Sequence, residues 1–150
     1  MEYRRYIQSD VPRLVDKLEL HIMGTPRLAR DGFDKQKVTD LLIGNLRNTA
    51  FFCTVAVEGD ETVGCMCASI SQFIFSKQAM AEDHIIFILE EYRTMPVVTA
   101  LVTRYVEWAR LRRVKVAMLR NITGEKVDEF NHLAEKLGFR LIGTCHAMEL

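Results

Sequence analysis

The chain has no uninterrupted apolar run approaching the roughly 20 residues a membrane-crossing helix needs, which excludes a helical span and a membrane partner. Its first residues, MEYRRYIQSD, lack the apolar centre of a secretory leader, so the expected location is the cytoplasm. Charge of one sign is also missing: 20 Lys and Arg balance 20 Asp and Glu. A neutral chain has no overall field to gather nucleic acid or anionic lipid, and nucleic acid is not an expected partner. The local basic cluster of Arg110, Arg112, Arg113 and Lys115 closes a predicted helix, where it complements the negative end of the dipole. None of the cysteines, Cys53, Cys65, Cys67 and Cys145, makes a CxxC pair, and no His cluster accompanies them. A metal is therefore not expected. Cys65 and Cys67 lie two apart in a predicted strand, share a face, and read as buried reduced thiols. The first strand–helix junction lacks GxGxxG and the chain lacks GxxxxGK[ST], which argues against the common dinucleotide and triphosphate folds. With no repeat, low-complexity segment or linker, residues 1–150 read as one domain.

What is present is a regular succession of elements. Tyr3 to Ile7 reads as a first strand. Ser9 and Asp10 are N-cap types and Pro12 suits a first helical turn; Leu14, Val15, Leu18, His21 and Ile22 then recur at helical spacing up to about Met23. Gly24, Pro26 and Gly32 mark a loop, and Asp34 caps a second helix with Val38, Leu41, Leu42 and Leu46 on one face. Phe51 to Val57 and Thr62 to Phe75 form a predicted hairpin around Glu58-Gly59-Asp60-Glu61. A strand ending at Leu89 follows, then a helix from about Pro96 to Arg112, a strand from Val114 to Leu119, and a helix carrying Val127, Phe130, Leu133, Ala134 and Leu137. Gly138 stops that helix, and Arg140 to Leu150 closes the chain as a last strand. The order βααββ, βαβ, αβ predicts an α/β (α+β) fold, a mixed sheet with helices on both faces.

The segment from Ile85 to Arg113 carries the strongest functional signal. An apolar strand hands its chain through a short turn to a helix, whose first-turn N–H groups lack intrahelical partners and sit at the positive end of the dipole. Arg93 adds a full charge in that turn. The expected anion cradle is Arg93, the amides of Thr94, Met95, Val97 and Val98, and the Thr94 hydroxyl; Pro96 has no N–H to give. Such a cradle suits a pyrophosphate and hence a nucleotide-type cofactor.

ILEEYR, VTALVTRYVEWAR and HLAEKLGFRLIGT, with the order above, resemble the strand end, the pyrophosphate-loop helix and the K-L-G-F ending of the GCN5-related N-acetyltransferase (GNAT) family. ITGEKVDEFNHLAEKLGF is similar to members common in phages and prophages. The resemblance implies a mostly antiparallel sheet, and transfer of an acetyl group from acetyl-CoA, as cosubstrate, to a primary amine by direct attack. It implies a pantetheine arm along the strand through Ile88 and Leu89, in a splay against Val114 to Leu119, and a pyrophosphate on the turn Arg93 to Val98. Two positions depart from the family pattern. Pro96 and Val98 replace small residues of the pyrophosphate loop, and Ala134 stands where many members carry a tyrosine that protonates the leaving thiolate. These departures frame the alternative of a catalytically degenerate GNAT-fold interaction or virion-associated module.

An amine nucleophile is protonated at neutral pH, so a base must relieve it. If the strand alternates without interruption, Glu82, His84, Ile86 and Ile88 share one face, which makes Glu82 and His84 the candidate bases, directly or through water. A backbone N–H near Ile88 or Leu89 is the candidate donor to the thioester carbonyl. Glu91 matches a structural glutamate of the family motif; His132, Cys145 and His146 read as structural. The acceptor, a small-molecule or protein amine, is expected to meet the loop Gly24 to Phe33, with Arg27, Arg30 and Asp31, and the connection Gln72 to Asp83. The last strand is a candidate surface for a homodimer.

Overall fold

Alternation along the central strands sorts the core into two layers. In β2 (Phe51–Glu58), Phe51, Cys53, Val55 and Val57 join one cluster while Phe52 and Ala56 join another. β3 (Glu61–Gln72) repeats the pattern: Cys65 and Cys67 face the first layer, Met66 and Ala68 the second. This is a computed structural model, and it describes residues 1–148.

The first layer is closed by helices. α1 (Val11–Gly24) turns Val11, Leu14, Val15 and Leu18 inward, all buried, with Pro12 in its opening turn. The predicted loop after it contains a short helix, α2 (Pro26–Ala29), which Pro26 starts. α3 (Lys35–Gly44) begins at Asp34, whose carboxylate accepts the Lys37 N–H at 2.9 Å. Of its predicted apolar face, Leu42 is buried and Val38 and Leu46 pack against the core, whereas Leu41 is exposed. The buried Tyr6 hydroxyl donates to the Leu42 carbonyl at 2.6 Å and ties this helix to the sheet's edge.

The second layer is closed by α4 (Met95–Leu111), which buries Val97, Leu101, Val102, Tyr105, Trp108 and Ala109. The sheet runs β1 (Glu2–Arg5), β2, β3, β4 (Ala79–Ile88), β5 (Val116–Ala117), antiparallel throughout except for the parallel β4–β5 pair. A mixed, mostly antiparallel sheet with helices on both faces is the expected architecture. α5 (Val127–Lys136) follows, and Gly138 ends it with φ of 86°.

Three expectations are corrected. β3 stops at Gln72, so Phe73, Ile74 and Phe75 leave the sheet and lie exposed in the connection to β4. β5 is only Val116–Ala117 rather than Val114 to Leu119. Of the predicted last strand, 140–148 forms no regular element, and its final residues lie outside the described ones. Cys53 and Cys67 face each other across β2 and β3 with Sγ atoms 3.2 Å apart, free and buried, as is Cys65. No helix among the described residues is long and apolar enough to cross a membrane.

Candidate active site

The β3–β4 register pairs Cys67 with Ile85 and then Ala68 with Asp83, leaving His84 as an extra residue on β4. That bulge reverses the alternation. Beyond it, Ile85 and Phe87 pack toward α1, and Ile86 and Ile88 toward α4; before it, Ala81 packs toward α4. Glu82 therefore falls on the face opposite Ile88, and the expected shared face does not hold. Its carboxylate lies 3.7 Å from Arg120 and outside the cavity described below. His84 does line that cavity, at its exposed rim, with Nε2 2.7 Å from the Ser69 hydroxyl.

β4 and β5 pair only through Met80–Val116 and Ala81–Ala117, with two further bonds at the ends, from the Lys115 N–H to the Ala79 carbonyl, 3.3 Å, and from the Met118 N–H to the Ala81 carbonyl, 2.8 Å. Tyr105 sits at this last rung, its hydroxyl 2.9 Å from the Ala81 carbonyl and 2.8 Å from that of Met118. Burial pushes its phenol up, so it stays a donor. The Asp83 carboxylate accepts the Arg120 backbone N–H at 3.1 Å and its Nε at 3.2 Å. Burial raises the Asp83 pKa even against the adjacent guanidinium. The chain then peels away, because the Asn121 side-chain Oδ1 accepts from the Thr123 and Gly124 N–H groups and from the Thr123 hydroxyl, closing a tight turn. Tyr105→Phe leaves the Met118 carbonyl unpartnered and is expected to cost about 1–2 kcal/mol, read from a denaturant midpoint. An unchanged midpoint would show that the rung does not depend on Tyr105.

Between the parted strands lies a cavity of about 760 Å³. One end is built by Ile86, Ile88, Arg93, Thr94, Met95 and Val98. At the first turn of α4 the predicted cradle is partly used up: the Thr94 N–H donates to the Tyr92 carbonyl at 2.8 Å, and the Val98 N–H to the Thr94 carbonyl at 3.1 Å. The amides of Met95 and Val97 take no carbonyl partner among the described residues, and the Thr94 side chain makes no capping bond. Arg93 is exposed, with Nη2 3.3 Å from the Ile88 carbonyl. The Leu89 N–H donates to the Val63 carbonyl at 2.9 Å, so it is not available to a thioester. Antiparallel alternation then turns the Ile88 and Ile86 amides toward the splay. Glu90 and Glu91 are exposed and outside the cavity lining, which removes the repulsion that carboxylates beside a phosphate would create.

The other end is built by His21, Thr25 and Leu28 from α1 and α2, facing Glu125, Glu129 and Phe130. His21 packs on Phe87 with ring centroids 5.2 Å apart. Burial, and then the positive charge of Arg93, hold its imidazole below the ordinary histidine range, with Glu125 opposing. Arg27 and Asp31 instead pair with each other on the surface at 3.0 Å. Sequence reasoning placed His21 in the apolar stripe of α1; an imidazole in the last turn of an otherwise aliphatic stripe was the available signal. Asp83, Arg120 and Tyr105 carried no such signal. Among the described residues no group of three or more His, Cys, Asp or Glu side chains is placed to hold a metal ion.

The parted strands thus leave one cavity lined both by the first turn of α4 and by residues of α1 and α2. The family model for the acetyltransferase (GNAT) family matches residues 19–139, and the chain belongs to that family. Solved structures share the fold at low identity. An acetyltransferase of Trypanosoma brucei superposes with a TM-score of 0.74 at 20% identity, covering 99% of each chain. A transcriptional regulator from Bacillus halodurans gives 0.78 at 18% identity, again with 99% of each chain covered. AAC(6')-Iy in complex with the bisubstrate analog CoA-S-monomethyl-acetylneamine gives 0.77 at 12% identity, covering 99% of this chain and 97% of that one. No curated protein sequence matches.

Proposed function

We propose that the protein transfers the acetyl group of acetyl-CoA to a primary amine, in the cytoplasm, by direct attack within the β4–β5 splay. The observation that carries this reading is one continuous cavity. It joins Arg93 and the first turn of α4, where the Met95 and Val97 amides are unpartnered, to the β4 strand at Ile86 and Ile88 and to a second mouth at His21, Thr25 and Leu28. The residues fit the cosubstrate. Arg93, two amides and the Thr94 hydroxyl suit a pyrophosphate despite Pro96. Ile88 offers apolar strand surface to a pantetheine arm, whereas Leu89, expected beside it, lies past the end of β4 and outside the cavity lining; the Ile86 and Ile88 amides suit the charge developing on a thioester oxygen. Ala134 lies outside the cavity lining; a thiolate is a tolerable leaving group, so no residue need replace the missing tyrosine. The acceptor enters from the α1–α2 side as a small-molecule or protein amine.

Calorimetric titration with acetyl-CoA, followed by mass spectrometry of products from a panel of primary amines, tests the proposal. Saturable binding and an added acetyl group on an amine are expected. No binding at millimolar acetyl-CoA would overturn it, and binding without any acetylated product would return the degenerate-module alternative.

A further inference from the structure

Resting on that reading, we propose that His21 is the catalytic base that takes a proton from the acceptor's ammonium group. Its position on the fold is the first reason. His21 leaves the last turn of α1 and lies against Phe87, the residue between Ile86 and Ile88, on the face from which an acceptor reaches the splay. Its ring is therefore level with the strand amides that await the thioester, on the other side of the sheet from α4.

The second reason is that neither ring nitrogen of His21 has a hydrogen-bond partner among the described residues; the Thr25 hydroxyl donates to its backbone carbonyl instead, at 2.9 Å. His21 is half-buried and neither ring nitrogen is a buried atom, so both remain open to solvent or to a group bound in the cavity that the residue lines. The other imidazoles are less well placed. His84 lies four residues before Ile88, roughly 13 Å of strand, and its Nε2 is engaged by Ser69. His132 is outside the cavity lining, and His146 is exposed.

The charged groups that act on His21 are Arg93, from the β4–α4 turn, and Glu125, from the connection between β5 and α5; from β4 the Phe87 ring packs against it, and Asp83 and His84 line the same cavity. Burial and Arg93 favour the neutral ring, the form that accepts a proton. The step balances as follows. One proton passes from R–NH3+ to a ring nitrogen of His21 and on to water. The freed nitrogen lone pair forms the C–N bond at the thioester carbonyl carbon. The C–S bond breaks with its electron pair on sulfur, and the second proton shed by nitrogen neutralises that thiolate.

Two measurements decide it. In the free protein, the His21 ring titration followed by NMR is expected below the ordinary histidine value of 6.5. Its midpoint should match the acidic limb of kcat/KM for a primary amine that the wild-type protein acetylates. His21→Gln is expected to lower kcat by about 100- to 1,000-fold and abolish that limb, with the acetyl-CoA dissociation constant within about twofold of wild type. A His21 midpoint that does not coincide with the acidic limb of kcat/KM overturns the proposal, as does a limb that survives in His21→Gln but disappears in His84→Gln. Failure of the wild-type protein to bind acetyl-CoA would instead bring down the acetyl-transfer reading itself, and this proposal with it.

Discussion

Gly64→Ala is expected to destabilise the protein by about 1–3 kcal/mol and to weaken acetyl-CoA binding at the same time. Gly64 sits in β3 opposite Ile88. A Cβ built there would lie 2.9 Å from the Phe87 carbonyl oxygen and 3.3 Å from Ile88 Cγ1. The nearer atom is backbone, so a rotamer change does not relieve the contact; β4 itself must move. The displaced stretch is the one whose far edge, away from β3, carries the Ile86 and Ile88 amides and whose Phe87 ring supports His21. Val63, next to Gly64, also holds the Leu89 N–H, so the exit of β4 toward the Arg93 turn is fixed from the same place. For a chain of this length the stability loss corresponds to a fall in Tm of roughly 2–4 °C per kcal/mol. Denaturant unfolding and calorimetry with acetyl-CoA check the two effects separately. A Gly64→Ala protein that matches wild type in both would show that β3 and β4 have slack at Ile88.

The readable parts of this chain were those written in local chemistry. Asp34 announced the start of α3 and supplies the predicted cap; Gly59 and Gly138 marked positions that take positive φ. The aliphatic stripe of α4 and the turn at Arg93 were legible because a strand, a polar break and an amphipathic helix follow one another within a short stretch. What could not be read was pairing. The bulge at His84 exists only because β3 and β4 meet in a particular register, and no residue type signals it; that one inserted residue turned Glu82 away from Ile88. The length of β5 was misjudged for a related reason. Val114 to Leu119 has the composition of a strand, but after Ala117 the Asp83 carboxylate takes the Arg120 N–H in place of a main-chain rung and the Asn121 turn leads the chain away. The splay, and so the cavity, follows from long-range contacts that composition does not encode. The residues of the proposed cradle could be named from the sequence, but not which of their amides are free, since those of Thr94 and Val98 are spent on Tyr92 and Thr94.

Arg93→Ala is expected to raise the KM for acetyl-CoA by about 10- to 100-fold, with Tm almost unchanged. The side chain is exposed and makes one bond of 3.3 Å, to the Ile88 carbonyl, which belongs to a strand already held by β3. Little of the fold depends on it. With Pro96 donating nothing, a pyrophosphate has only the Met95 and Val97 amides and the Thr94 hydroxyl besides the guanidinium, so the one full charge carries a large share of the affinity. Arg93→Lys keeps the charge but loses the two-pronged donor, and its KM is expected between those of wild type and Arg93→Ala. The same substitution reaches His21. After burial, Arg93 is the charged group that holds that imidazole's proton affinity down; removing its charge should move the His21 titration upward toward the ordinary value and carry the acidic limb of kcat/KM with it. An arginine that served only to support the turn would give the opposite pattern, a large fall in Tm with KM and the His21 titration where they were.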